Sequence, residues 1–381
     1  MKPFKILSVF GTRPEAIKMA PLVLELMRHP QLDSRVCITA QHREMLDSVL
    51  ECFGITADYD LNVMHPGQTL SDITARVLTG MGRVLEEAKP DLVLVHGDTT
   101  TAFTAALAAF YAQIPVGHVE AGLRTHDKYS PYPEEMNRQL IGRIADLHFS
   151  PTQSNAANLA AEGITKGIYI TGNTVIDAMD YTVSGEGFSS EALSKVPMQG
   201  KRVITLTCHR RENYGAPMEQ IFSAVRSMAE AFPDVQVVYP VHPAPVVKDT
   251  AQRMLGDVPN IALIPPLDAI DMHRLMSRSH LVMTDSGGIQ EEAPSLGKPV
   301  LVLRRETERP EAVAAGTVRL VGVASQDILR AAHVLLTDDD AYDAMARAVN
   351  PYGDGKACAR IAQAILHHFG LQETAPIPFG M

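Results

Sequence analysis

The chain has 381 residues, 46% of them hydrophobic and 20% charged, with a formal net charge of −10. That length exceeds what one hydrophobic core usually organises, so two domains are expected. The acidic balance argues against nucleic acid or an anionic membrane as partner, and any phosphate must be held by local groups.

Cys37, Cys52, Cys208 and Cys358 are scattered without a CxxC pair. No disulfide framework or zinc knuckle is readable, and a reducing compartment fits best. The opening MKPFKILSVFGTRPEA has an apolar run too short for a signal peptide. No stretch is long or apolar enough to span a membrane, so a cytoplasmic location is expected.

Short apolar runs alternate with helical patterns from the start. Strands are expected at 5–10, 35–39, 92–96, 116–119, 147–150 and 168–171, with helices at 15–28, 43–52, 70–88 and 100–113 between them. Continuous Val/Leu/Ile runs, rather than strict alternation, point to strands buried on both faces of a parallel sheet. A Ser/Gly-rich connector over 182–201 is followed by a second set of strands at 203–207, 235–240, 261–264, 281–284 and 300–303. Residues 372–381 read as a frayed tail. The pattern is α/β, two Rossmann-like doubly wound parallel-sheet domains with an interdomain cleft as the expected ligand site.

Ligands of open parallel sheets lie beyond the carboxyl ends of the strands, so the residues that follow each strand matter most. After the first strand come Gly11, Thr12, Arg13, Pro14 and Glu15, then Lys18. Thr12 and Glu15 have capping-box spacing, and the turn offers N–H groups and two cations for a diphosphate. The bland alternative is a plain helix start with surface cations.

LVLVHGD places Asp98 beyond its strand, VGHVEAG places Glu120 beyond the next, and Glu134 opens the following helix. A single strand-end acid is often an N-cap, the bland reading of Asp98. Three at neighbouring strand ends point to a shared site. His96 and His118 lie close by and loosely suggest a metal. No HExxH or comparable spacing supports one, and both read as core or turn residues.

In the second half, a strand runs into Cys208, His209, Arg210, Arg211, Glu212 and Asn213. Another runs into Asp285, Ser286, Gly287 and Gly288, with Glu292 one turn into the next helix. Such a turn lets backbone approach a phosphate, and Glu292 is placed to accept from ribose hydroxyls. No GxGxxG follows a strand, and Walker A and GxSxG sequences are absent. These absences argue against a dehydrogenase, an NTPase or an α/β-hydrolase.

GTRPEAIKMAPL, TAQHREML, LVHGDTT, VGHVEAGLRT, PEEMNR, TGNTVIDA, HRRENYG, DSGGIQEEAPSLGKPVLVLR, TERPEA and NPYGDG together resemble the non-hydrolysing UDP-N-acetylglucosamine 2-epimerases, over nearly the whole chain. The resemblance implies the GT-B architecture, with domains at 1–175 and 200–355 and a last helix, 356–370, returning to the first. The implied activity is reversible epimerisation at carbon 2 of UDP-N-acetylglucosamine, giving UDP-N-acetylmannosamine by elimination and readdition of UDP through a glycal. It implies no cofactor and no metal.

By the same resemblance, Asp98, Glu120 and Glu134 are the catalytic carboxylates, and His209 contacts the β-phosphate. Arg13 and Lys18 face the phosphate–sugar region. Ser286, Gly287 and Gly288 hold the diphosphate, Glu292 the ribose, and Arg309 completes the nucleotide pocket. Leu267 and Met272 match base contacts; many relatives have Phe at the latter position. Some relatives bind a second UDP-N-acetylglucosamine as activator. Gln41 matches that site, whereas Glu44 and Gly67 depart from it. Relatives are commonly homodimers, and the product usually feeds surface polysaccharides. Three rivals remain open: a hydrolysing epimerase releasing free N-acetylmannosamine, a GT-B glycosyltransferase, and a silent nucleotide-sugar sensor.

Overall fold

The computed structural model describes residues 2–39, 43–65, 67–185 and 187–380, with the side chains of 43–45 left aside. Gln41 and the Glu44 side chain therefore lie outside the described residues. The chain divides into two compact units, Met1–Tyr181 with Tyr352–Met381, and Thr182–Pro351.

The first unit carries β1 (Phe4–Phe10), β2 (Leu32–Ile38), β3 (Tyr59–Asp60), β4 (Leu92–His96), β5 (Val116–Val119), β6 (Leu147–Ser150) and β7 (Ile168–Ile170). They form one sheet in the order β3-β2-β1-β4-β5-β6-β7. Adjacent strands pair in parallel, as β1 does with both β2 and β4. Strand order reverses between β1 and β4, which opens a crevice at their carboxyl ends. Every residue of β4 is buried, as a strand covered on both faces requires. Helix Thr100–Tyr111 (TTAFTAALAAFY) brings a row of buried alanines into the core beside Val77 and Met81 of helix Leu70–Ala88.

The second unit repeats the plan with β8 (Arg202–Thr207), β9 (Val235–Pro240), β10 (Ile261–Ile264), β11 (Leu281–Thr284), β12 (Val300–Val302) and β13 (Val318–Leu320). Their order is β10-β9-β8-β11-β12-β13, so its switch point lies between β8 and β11. The two strands run in parallel with Thr284 opposite Thr207, and these hydroxyls share a 2.6 Å hydrogen bond. This is the two-Rossmann organisation of the GT-B class. No helix among the described residues is long and apolar enough to cross a membrane.

Two readings of the sequence change. The connector contains a short helix, Glu191–Ser194, capped by the Ser190 hydroxyl and anchored by buried Leu193. The tail is seated rather than frayed: Phe379 N–H donates to Ile170 O at 2.8 Å, and the Arg360 guanidinium covers the Phe379 ring. An open carbonyl of β7 and a fixed cation hold a segment whose composition alone offers little. The last helix, Ala357–His368, packs on helix Arg13–Met27 of the same unit. Its first N–H groups, on Ala357 and Cys358, donate to buried Asp177 at 3.1 and 2.8 Å.

Candidate functional site

At the head of the first sheet, Gly11 ends β1 where a side chain has no room, since a Cβ would lie 1.8 Å from Thr39 Oγ1. Thr12 and Glu15 make the expected capping box. Glu15 is buried, and one of its oxygens accepts from Gly11 N–H, Thr12 N–H and the Thr12 hydroxyl at 3.0, 2.8 and 2.8 Å. Its other oxygen accepts from the Thr99 hydroxyl at 2.7 Å. Burial pushes the Glu15 carboxyl up against these donors. Arg13, half-buried in this turn, forms no ion pair among the described residues.

Thr99, not Asp98, caps the helix after β4. Asp98 instead accepts from Arg138 Nη2 at 2.6 Å, while Asn137 Nδ2 donates to its backbone oxygen at 2.9 Å. Burial pushes its carboxyl up to about 6, restrained by Arg138 and Lys18 and assisted by the nearby charges of Glu120 and Glu134. Asp98 thus lies within electrostatic range of both other expected carboxylates.

Glu120 follows β5 with φ of +64°, a left-handed backbone that costs a non-glycine residue about 1–2 kcal/mol. Strain of this kind collects where side-chain aim matters. Lys18 Nζ lies 2.5 Å from its Oε1, Asn173 Nδ2 donates to the same oxygen at 3.1 Å, and His96 Nε2 stands 3.4 Å from Oε2. His96 is therefore more than a core residue. Burial lowers its imidazole to about 4, so it faces Glu120 neutral. His118 turns away, with Nε2 2.7 Å from Gly97 O. Glu134 opens helix Glu134–Ile144 with its side chain unbonded among the described residues.

At the head of the second sheet, fully buried Asp285 accepts at Oδ2 from His209 N–H, Arg210 N–H and Asn213 Nδ2 at 2.8, 2.9 and 3.0 Å. One carboxylate thus shapes the whole loop after β8. Gly287 and Gly288 follow Ser286 into helix Ile289–Ser295, and their N–H groups donate to nothing among the described residues. The Glu292 carboxylate folds back over Gly288, 3.3 Å from where a Cβ would stand, and lies 3.5 Å from His273 Nε2. Arg309 is paired with Glu291. Arg304, nearly buried after β12, bridges Glu212 and Glu308. Leu267 packs on the apolar cluster around Leu275, and Met272 is half-buried in helix Ala269–Arg278. Among the described residues no three His, Cys, Asp or Glu side chains cluster as a metal site would require.

The family model described as UDP-N-acetylglucosamine 2-epimerase matches residues 24–366. The chain belongs to that family. Epimerases of this family are isomerases, and so is this enzyme. It is 55% identical to the UDP-N-acetylglucosamine 2-epimerase of Bacillus subtilis strain 168 over 380 residues, covering 100% of this chain and 99% of that one. The Escherichia coli K12 enzyme of the same name is 55% identical over 368 residues, covering 95% of this chain and 98% of that one. The solved UDP-GlcNAc 2-epimerase of Neisseria meningitidis, bound to UDP-GlcNAc, superposes with a TM-score of 0.88 at 49% identity, covering 96% of this chain and 100% of that one.

Within this epimerase fold, Lys18, Asp98, Glu120 and Glu134 gather at the first sheet, with Arg13 in the adjoining turn. His209, Ser286, Gly287, Gly288 and Glu292 gather at the second, with Leu267, Met272 and Arg309 on neighbouring elements. Reading strand ends missed Asn173 and Arg138, which hold Glu120 and Asp98. It also missed the roles of His96 beside Glu120 and of Asp285 in the His209 loop, and Arg304, which ties Glu212 to Glu308. PEEMNR held a signal, because Arg138 lies one turn beyond Glu134 and Glu135 on the same helix face.

Proposed function

We propose that the enzyme interconverts UDP-N-acetylglucosamine and UDP-N-acetylmannosamine by elimination and readdition of UDP through a glycal. The second unit holds UDP, and the first supplies the acid–base groups. The observation that supports this reading best is the set of strand-end carboxylates at the first sheet. Glu120 faces Lys18 at 2.5 Å and Asp98 faces Arg138 at 2.6 Å, and burial still pushes Asp98 up to about 6. A carboxyl raised toward neutral pH beside further carboxylates suits proton transfer.

The chemistry requires groups that move a proton at carbon 2. Carbon 2 bears nitrogen and no adjacent carbonyl, so its proton is barely acidic until the bond from carbon 1 to UDP breaks. The oxocarbenium then acidifies it, and its loss gives the glycal plus UDP. Readdition of UDP with protonation from the opposite face gives the other epimer. Base and acid must stand on opposite faces, each worth about 10²–10⁴-fold. Arg13, Lys18 and His209 suit the departing diphosphate. Asp98, Glu120 and Glu134 together supply the base, the acid and an anion near the oxocarbenium. Ser286, Gly287 and Gly288 take the diphosphate, Glu292 the ribose, Leu267 and Met272 the base, and Arg309 closes the nucleotide pocket. Arg309 acts there through its pairing with Glu291. The same reading takes the working enzyme to be a cytoplasmic homodimer, which light scattering would test.

Proton NMR with UDP-N-acetylglucosamine in D₂O, with EDTA and no NAD, tests the reaction. The expected result is UDP-N-acetylmannosamine carrying deuterium at carbon 2. Free N-acetylmannosamine with UDP would identify a hydrolysing enzyme instead, and an unchanged spectrum would overturn the reading.

A further inference from the structure

The Asp285 side chain is fully buried, yet its two oxygens are used unequally. Oδ2 accepts the three hydrogen bonds that shape the loop after β8. Oδ1 makes no hydrogen bond among the described residues, and it faces His209 Nδ1 at 3.4 Å. A buried carboxylate oxygen left over from loop anchoring and aimed at an imidazole favours the proton on Nδ1. His209 is 39% exposed at its side chain, so its other nitrogen is open to a ligand.

The groups around His209 come from three elements. Asp285 stands at the end of β11 and favours the charged imidazole. His242, beyond β9, stacks on the ring with centroids 5.5 Å apart, and Arg210 is next in the loop; both disfavour charge. Burial lowers the imidazole further, and Asp285 only partly offsets it. The Cys208 thiol beside Asp285 stays protonated, pushed well up by burial and by that carboxylate. His209 is thus neutral in the free protein at neutral pH, with a built-in anion waiting on one side.

We propose that Asp285 and His209 form a proton-accepting dyad, in which His209 takes up one proton from solvent when the diphosphate of UDP arrives. The diphosphate supplies a second anion at Nε2. The imidazolium then donates from Nδ1 to Asp285 and from Nε2 to the phosphate. No bond other than N–H forms. Asp285 is a positioning residue here, fixing both the loop and the tautomer. The inference rests on the reading that the second unit binds UDP, and it adds that this binding is proton-linked. Affinity is then highest at low pH and falls as pH rises, approaching about tenfold per pH unit where uptake nears one proton.

Calorimetry of UDP binding to the full chain at pH 7.5, in phosphate and in Tris, reads the protons taken up. The terminal phosphate of UDP titrates at about 6. Its contribution is common to wild type and His209→Asn, so their difference isolates the imidazole. The expected difference is more than about half a proton, with UDP still bound by the variant. Asp285→Asn presents an amide N–H₂ to Nδ1 and should abolish the uptake. Equal uptake in wild type and His209→Asn, or undiminished uptake in Asp285→Asn, would overturn the dyad while leaving UDP binding intact. Failure of wild type to bind UDP would overturn the nucleotide-sugar reading and the dyad with it. The wild-type and His209→Asn measurements decide the matter even if Asp285→Asn does not fold.

Discussion

Lys18 Nζ lies 2.5 Å from Glu120 Oε1 across 102 residues of chain, joining the first helix of the unit to the end of β5. Asn173 bonds the same oxygen at 3.1 Å, and its own N–H donates to Tyr352 O at 2.7 Å, where the chain returns to this unit. One carboxylate is thus aimed by groups from well-separated stretches of sequence. A side chain aimed this strictly is expected to act in the chemistry rather than in binding. Glu120→Gln should retain UDP binding and lose about 10²–10⁴-fold in kcat. Steady-state kinetics with UDP titration checks this. Wild-type turnover in the variant would remove Glu120 from the reaction.

Asp98 gives the pH dependence. Burial pushes its carboxyl from 3.8 to about 6, and the Arg138 guanidinium at 2.6 Å is the largest force opposing that rise. The sign follows: Asp98 holds its proton through the acidic range and loses it only as pH passes about 6. The profile of kcat/KM should therefore show an ionisation near 6. Arg138→Met removes the restraining cation, so the same ionisation should move to higher pH. A flat profile between pH 5 and 7, or no movement in the variant, would count against Asp98 as an acid–base group.

Much of this site was legible because parallel sheets put ligands at strand ends. Asp98, Glu120, His209 and Ser286 all follow buried apolar runs, and the Thr12/Glu15 spacing specified a helix start that the structure contains. What was not legible depends on distance. Nothing local couples Asn173 to Glu120, or Arg138 to Asp98 across 40 residues. The edge strands β3, with two residues, and β13, with three, are too short to show periodicity. Asp285 was visible as the start of DSGG, but its grip on the His209 loop appears only once β11 pairs with β8. His96 looked like a core residue by composition, and its burial is real; its proximity to Glu120 is a product of register.

Glu15 is the joint between the turn carrying Arg13 and the turn carrying Asp98. Replacing it with alanine leaves the Gly11 and Thr12 N–H groups and the Thr12 and Thr99 hydroxyls without their acceptor. At about 1–3 kcal/mol for each buried group left unsatisfied, and with some donors near the surface, Glu15→Ala should cost about 3 kcal/mol of stability. Glu15→Gln should cost much less. Its amide oxygen replaces the oxygen facing Gly11 and Thr12, and its N–H₂ can donate to the Thr99 hydroxyl. Urea unfolding of the two variants distinguishes these outcomes. Equal losses would show that the negative charge, rather than the acceptor geometry, is what the turn requires.

Three buried histidines set a limit at acid pH. Burial lowers His96 and His148 to about 4 and His118 to about 3, against 6.5 in an unfolded chain. Folded-state values below the unfolded one mean that the unfolded chain binds these protons first. The stability they contribute is present above pH 6.5 and is lost as pH falls toward 4. Three such groups steepen the loss by up to about 4 kcal/mol per pH unit. The raised carboxyls of Glu15, Asp98 and Asp177 work in the opposite direction and return part of it. His118→Gln isolates one histidine, because glutamine can still donate to Gly97 O, which His118 Nε2 now meets at 2.7 Å. Between pH 6 and 4.5, unfolding free energies from urea titrations should fall less steeply in this variant, by about 1.4 kcal/mol per pH unit. A slope equal to wild type would mean that His118 already carries its proton in the folded protein.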